Sequence, residues 1–138
     1  MKRNLLSLAA LAALSAPLAA QEAGQVDMSQ RAGWFEDPAR LTQSGGKQVY
    51  EAICAACHMP DGQGATGAGA YPALAGNENL ITPDYPIYVI VQGHKAMPPL
   101  GGVLDDEQVA DVVNYIRTSF GNDYAEDPAT ADRVADAR

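Results

Sequence analysis

The chain has 138 residues, two cysteines and a formal net charge of −8. All 17 acidic residues follow Ala20, whereas two of the nine basic ones precede it, so the part beyond Ala20 sets seven basic residues against 17 acidic and carries a net charge of −10. That balance argues against nucleic acid and anionic lipid as partners and favours a partner with a basic docking patch; the same acidity would also keep an exported protein in solution.

Lys2 and Arg3 precede an apolar run from Leu5 to Leu14, closed by Pro17 and the small residues Ala19 and Ala20. This is the pattern of a secretory signal peptide over 1–20, cleaved after about Ala20. An uncleaved anchor is the rival, but a spanning helix needs about 20 apolar residues. The remaining 118 residues suit one domain with one modest core. They hold no second apolar span, so the expected product is exported and has no membrane span after cleavage.

Residues 21–41 are polar and read as a partly extended arm. Its aromatic pair Trp34-Phe35 includes the only tryptophan. Trp34 either pins the arm to the domain or covers a cofactor edge or a partner. A first helix should begin at Thr42 or Ser44, either of which can cap it, with Gly46, Val49, Tyr50, Ile53 and Cys57 on one face. Gly46 lowers helix stability, so its place on the buried stripe predicts the close approach of another helix.

That helix runs into Cys54-Ala55-Ala56-Cys57-His58. Two thiols three apart, followed at once by an imidazole, read as a c-type haem attachment site. On one turn of helix each sulfur can add to a vinyl group of the same porphyrin while His58 reaches the iron. A redox dithiol would expect a βα unit around the motif, and none is legible. Zinc would need about four ligands, recruiting His94 or carboxylates. A disulfide across so short a loop would contribute little and would leave the histidine unexplained. Thioether attachment also consumes both cysteines and agrees with export to the periplasm.

The Gly- and Ala-rich stretch from Asp61 to Asn79 has no sustained period and reads as a loop. It is not a phosphate loop, because no Lys-Ser/Thr follows and no strand precedes. Its lack of side-chain bulk suits packing against the haem on the histidine side, and order is expected only at Tyr71-Pro72-Ala73-Leu74. A second helix, capped by Thr82 or Asp84 and ended by Gly93, carries Tyr85, Ile87, Tyr88, Val89, Ile90 and Val91. Pro86 is tolerated in its first turn.

Met97, stiffened by Pro98 and Pro99, offers a soft thioether as the sixth iron ligand. His94, three residues away, is the rival ligand. Met59 sits on the His58 side, and Met28 lies in the arm. A last helix starts at Asp105 with Gln108 completing a capping box, buries Val109, Val112, Val113, Ile116 and Phe120, and stops at Gly121. It should cross the first helix near Gly46. The acidic tail over 122–138 admits either a short helix capped by Asp127 at Pro128 or no ordered structure.

Gly46-x-x-x-Tyr50-x-x-x-Cys54-x-x-Cys57-His58, then Tyr71-Pro72-x-Leu74-x-Gly76, Met97-Pro98 and the helix from Val109 to Ile116 together resemble a class I cytochrome c over 42–121. The resemblance implies an all-α fold in which terminal helices cross at Gly46 and Tyr115 over one covalently bound haem c. It implies His58 and Met97 as axial ligands of the iron, with the Pro72 carbonyl holding His58. The segment from Asn114 to Asn122 is similar to bacterial cytochromes that serve periplasmic dehydrogenases of alcohols, sugars or aldehydes. The expected function is thus a periplasmic, monomeric one-electron carrier rather than an enzyme. A dehydrogenase would be its donor and an oxidase or another cytochrome in the respiratory chain its acceptor. Two other readings are a tightly held dehydrogenase subunit, with Trp34 and the tail at the interface, and an open-haem peroxidase or gas binder.

Overall fold

A computed structural model describes residues 40–67 and 69–138. The signal-peptide expectation over 1–20 and the Trp34 and Met28 part of the arm fall outside the described residues. The first helix is one run in three parts: α1 (Gly46–Val49), a π-helical turn (Tyr50–Cys54) and α2 (Ala55–His58). Its N-cap is Gly45, with no side-chain cap bond, in place of the expected Thr42 or Ser44. The cap falls there because Gly45 takes a φ of 85°, which the chain reaches without a Cβ clash.

A two-residue hairpin, β1 (Ala65–Thr66) and β2 (Ala70–Tyr71), pairs antiparallel within the loop. A 3₁₀ turn (Glu78–Leu80) follows, and then α3 (Asp84–Gln92), α4 (Asp106–Thr118) and α5 (Ala131–Asp136). The fold is therefore the expected all-α one, with the hairpin as a small addition to the glycine loop. Pro83 occupies the N-cap of α3 without a side-chain bond, where the sequence favours Thr82 or Asp84, and Gly93 closes the helix.

The cap of α4 is as the sequence predicts. Asp105 accepts from the Gln108 amide at 2.8 Å, and the Asp105 amide donates to Gln108 Oε1 at 2.9 Å. The same Gln108 side chain donates to the carbonyls of Leu41 at 2.8 Å and Gln43 at 2.7 Å, so it also ties down the segment ahead of α1.

Helices α1 and α4 pack together at Gly46. A Cβ built there would lie 2.5 Å from Tyr115 Cβ and closer still to the Asp111 carbonyl oxygen, so only glycine fits. One turn on, Tyr50 lies against Tyr115 and Phe120, with ring centroids 5.6 and 4.9 Å away. Val49, Val109, Val112 and Val113 have no exposed surface, and Ile87, Ile90 and Val91 bring α3 onto the same core. Phe120 lies past the end of α4, at a φ of 58°, and so joins the core from a turn rather than from the helix stripe.

The tail is ordered and contributes to the core. Its helix begins at Ala131, capped by Thr130, and not at Pro128 under Asp127. Val134 has no exposed surface, and α5 packs on both α3 and α4. Asp127 instead accepts from Arg133, which also pairs with Asp84 at 2.8 Å, and Arg138 pairs with Asp106.

Among the described residues, Arg117 is the largest fully buried side chain, 1% exposed. Its guanidinium donates to four backbone carbonyls: Leu80 at 2.9 Å, Ile81 at 2.9 Å, Glu126 at 2.8 Å and Asp127 at 3.0 Å. One side chain thus closes the approach to α3 and the approach to α5 at once. Burial pulls its pKa down from the ordinary value, and the Asp127 carboxylate opposes that.

Two substitutions separate these packing claims. Gly46→Val should lower unfolding free energy by about 3 kcal/mol or more, because the clash is with backbone and cannot relax by rotamer change. Gly102→Ala, with nothing within 4 Å of its Cβ, should stay within about 0.5 kcal/mol. Urea unfolding of the purified protein measures both. Arg117→Leu leaves its carbonyl acceptors unpaired and should cost about 3–5 kcal/mol. Arg117→Lys should recover only part of that loss, since an ammonium cannot fork to four acceptors.

Candidate haem site

The motif residues sit where the first helix ends. Cys54 closes the π turn and is half-buried, Cys57 lies on α2 and is exposed, and His58 is the last residue of α2. The two sulfurs are therefore a helical turn apart, the arrangement in which both can bond one planar group. Burial, with a smaller contribution from Cys57, pushes the Cys54 thiol up to about 12.

His58 Nδ1 lies 2.9 Å from the Pro72 carbonyl oxygen. A carbonyl only accepts, so Nδ1 carries the proton and Nε2 is left with its lone pair for a metal. The glycine loop explains how Pro72 comes so near. The Gly64 amide donates to the His58 carbonyl at 3.0 Å, and the Leu74 amide donates to the Gly62 carbonyl at 2.7 Å. Gly64 has a φ of +65°, and a Cβ there would meet Pro72 C at 2.7 Å, so a side chain would push the Pro72 strand away from the imidazole.

Met97 lies in a tight turn. His94 and Met97 exchange both backbone hydrogen bonds, each at 3.0 Å, with Lys95 between them at a φ of 53°. The Leu100 amide then donates to Ile90 and the Gly101 amide to Val91, at 2.8 and 3.3 Å, so the Met97 loop is clamped to the end of α3. Met97 is half-buried and packs against the core. The His94 side chain is exposed.

An iron porphyrin suits this donor set. The porphyrin would supply the iron's other ligands, so the protein need offer only one imidazole nitrogen and one soft sulfur. Among the described residues, no group of three or more His, Cys, Asp or Glu could hold a bare metal ion.

Several roles around the site are not evident from sequence. Tyr50 donates its hydroxyl to the Met59 carbonyl at 2.7 Å, and burial is the main cause that raises its pKa to about 12. Asn122 donates to Leu74 and Ile116 carbonyls, both at 2.8 Å, and accepts from the Asn77 amide at 3.1 Å. Its polar place next to the Phe120 stripe gives no sign of that bridging. Arg117 leaves a readable signal, since it falls four residues after Val113 on the apolar stripe of α4.

Comparison with known proteins agrees with this geometry. Residues 42–116 match the family model described as cytochrome c oxidase, cbb3-type, subunit III. The chain is 35% identical to a fructose dehydrogenase cytochrome subunit of Gluconobacter japonicus, over 67% of this chain and 22% of that protein. It is 36% identical to a gluconate 2-dehydrogenase cytochrome c subunit of Pantoea cypripedii, over 83% of this chain and 27% of that one. The chain thus spans about a quarter of the length of these two relatives. A cytochrome c6 of Diacronema lutheri is 32% identical over 55% of this chain and 94% of its own length. The group that such proteins carry is haem c. With that match over more than half its length, the chain belongs to the cbb3-type subunit III family of cytochromes c: it is a class I cytochrome c.

Proposed function

We propose that the protein is a periplasmic carrier of one electron on a single haem c, bound through Cys54 and Cys57 and ligated by His58 and Met97. The observation that carries this reading is the His58–Pro72 hydrogen bond, which commits Nδ1 as donor and frees Nε2 at the end of a CxxCH helix. Bound there, the haem supplies the Fe(III)/Fe(II) couple.

The chain's own residues do the rest. The Pro72 carbonyl raises the basicity of His58 and fixes its ring orientation. The clamped His94–Met97 turn presents a thioether, and a sulfur ligand lifts the reduction potential above that of two nitrogens. With His58 and Met97 both holding the iron, the haem would offer oxygen or peroxide no open position. The N-terminal charge and apolar pattern over 1–20 supports export. Among the described residues, no helix is long and apolar enough to cross a membrane.

The donor would be a periplasmic dehydrogenase and the acceptor an oxidase or another cytochrome. The likeness to cytochrome subunits of two dehydrogenases supports that donor class. The carrier would work as a monomer, and its acidic surface would meet a basic patch through a small interface, below about 1,200 Å² in total.

The absorption spectrum of the purified exported protein tests the ligand set. It should show c-type bands and, in the ferric form, the weak far-red band of sulfur-ligated haem. That band should vanish in Met97→Ala and persist in His94→Ala; the reverse result would make His94 the ligand. Electron exchange with the partner should slow as ionic strength rises across the range where the Debye length falls from about 30 to 8 Å. A stopped-flow rate flat across salt would refute acidic docking. Co-purification with a larger dehydrogenase would replace the free carrier by a bound subunit.

A further inference from the structure

The turn from Met59 to Gly64 joins the end of α2 to the segment that carries Pro72, and its hold on the helix is unusual. Met59 has a φ of 65°, a left-handed conformation that a residue with a Cβ disfavours. Its carbonyl accepts two hydrogen bonds, from the Gly62 amide at 3.1 Å and from the Tyr50 hydroxyl at 2.7 Å. Tyr50 is 1% exposed and opens the π turn, nine residues upstream.

From that carbonyl the bonds run in a closed circuit. The Gly62 carbonyl takes the amides of Leu74 and Ala75 at 2.7 and 3.0 Å. Two residues before Leu74 stands Pro72, whose carbonyl faces His58 Nδ1 at 2.9 Å. The Gly64 amide returns to the His58 carbonyl at 3.0 Å. All partners in the circuit are backbone groups except two side chains, the His58 imidazole and the Tyr50 phenol. The phenol is the link that reaches the Met59 carbonyl from the α1–α4 contact, through its ring against Tyr115 and Phe120; elsewhere on the circuit Phe120 lies against Gly62, and Asn122 ties the Leu74 carbonyl to that of Ile116.

We infer that Tyr50 is a positioning residue for the His58 imidazole: by holding the Met59 carbonyl, its hydroxyl sets the turn that brings the Pro72 carbonyl to His58 Nδ1. The consequence at iron rests on His58 being the ligand, as proposed above; the strap itself does not. Loss of the hydroxyl lengthens the His58–Pro72 bond, lowers the basicity of the imidazole and so favours the reduced iron.

Tyr50→Phe is the test, because the ring stays against Tyr115 and Phe120 and only the hydroxyl is removed. Val134→Ala serves as the comparison, since it destabilises the core at α5 without touching the turn. In Tyr50→Phe, hydrogen exchange of the Gly62 and Gly64 amides should accelerate roughly fivefold relative to amides of α5. The hyperfine-shifted ring protons of His58 should move, and the midpoint potential should rise. In Val134→Ala the melting temperature should fall while the Gly62 and Gly64 exchange, the His58 signals and the potential hold. A Tyr50→Phe protein that melts earlier, yet keeps wild-type exchange at Gly62 and Gly64 and unmoved His58 signals, would overturn the proposal and leave Tyr50 a packing residue. Should the wild type itself lack shifted His58 resonances, His58 is not the ligand, and the amide exchange decides the strap alone.

Discussion

Because position 46 has no side chain, α1 and α4 meet with the Asp111 carbonyl and Tyr115 Cβ directly against the glycine backbone. That approach sets the angle at which the first helix leaves the core and therefore where its far end delivers Cys54, Cys57 and His58. The aromatic trio of Tyr50, Tyr115 and Phe120 stands one turn beyond the contact, and Tyr115 and Phe120 meet nearly edge to face at 5.6 Å. Large rings there resist the rotation that a glycine contact alone would permit. The π turn opens at Tyr50 and closes at Cys54, so the extra residue it accommodates falls between the Gly46 contact and Cys57-His58. Insertions of this kind re-aim what comes after them, and here what comes after is the rest of the motif.

A second constraint operates in the last turn of α4. A chain of this size has limited apolar surface to bury, and the core takes in a guanidinium rather than another aliphatic group. Arg117 is tolerated because each of its donors that the structure pairs meets a backbone carbonyl. Those carbonyls come from the turn before α3 and the turn before α5, which have no hydrogen bonds of regular structure to use. Desolvating a charge is costly unless every donor is met, and here the cost is offset by joining two irregular segments to one helix. The ordering of the tail follows from that, and Val134 and Ala129 then enter the core.

Much of this is legible in the sequence, for identifiable reasons. Helix α4 declares itself because its signals are local: Asp105 and Gln108 form their capping box within four residues, and the valine stripe has a plain helical period. The Gly46 contact is legible because a glycine on an apolar stripe weakens its own helix and is tolerated chiefly where another backbone must come close. The cap of α1 is not legible, since side-chain capping favours Thr42 or Ser44 while a positive φ at Gly45 depends on how the preceding segment enters. The tail is ambiguous in sequence because its order depends on Arg117, on Asp84 and on Asp106, partners 10 to 49 residues away. Among the proposed site residues, Cys54, Cys57, His58 and Met97 stand out by type and spacing. The Tyr50–Met59 bond does not, because a tyrosine at that place on the stripe is already accounted for by packing.

The same ionic contacts that order the tail shape the field around the molecule. Arg133 spends its charge on Asp84 and Asp127, Arg138 on Asp106 and Lys47 on Glu51, while Arg117 is buried. These cations therefore neutralise the chain's own carboxylates and carbonyls and project little positive potential outward. Glu78, Glu107, Asp111, Asp123, Asp132 and Asp136 are exposed, and the excess of acid over base falls to such residues. Exposed like charges lower stability only modestly at physiological ionic strength, because water and salt screen them. The attraction they exert on an approaching basic surface is screened in the same way, so it accelerates encounter without holding the complex together. The carrier proposed above must release each partner before it can meet the next, and an exposed surface of screened carboxylates is compatible with that release.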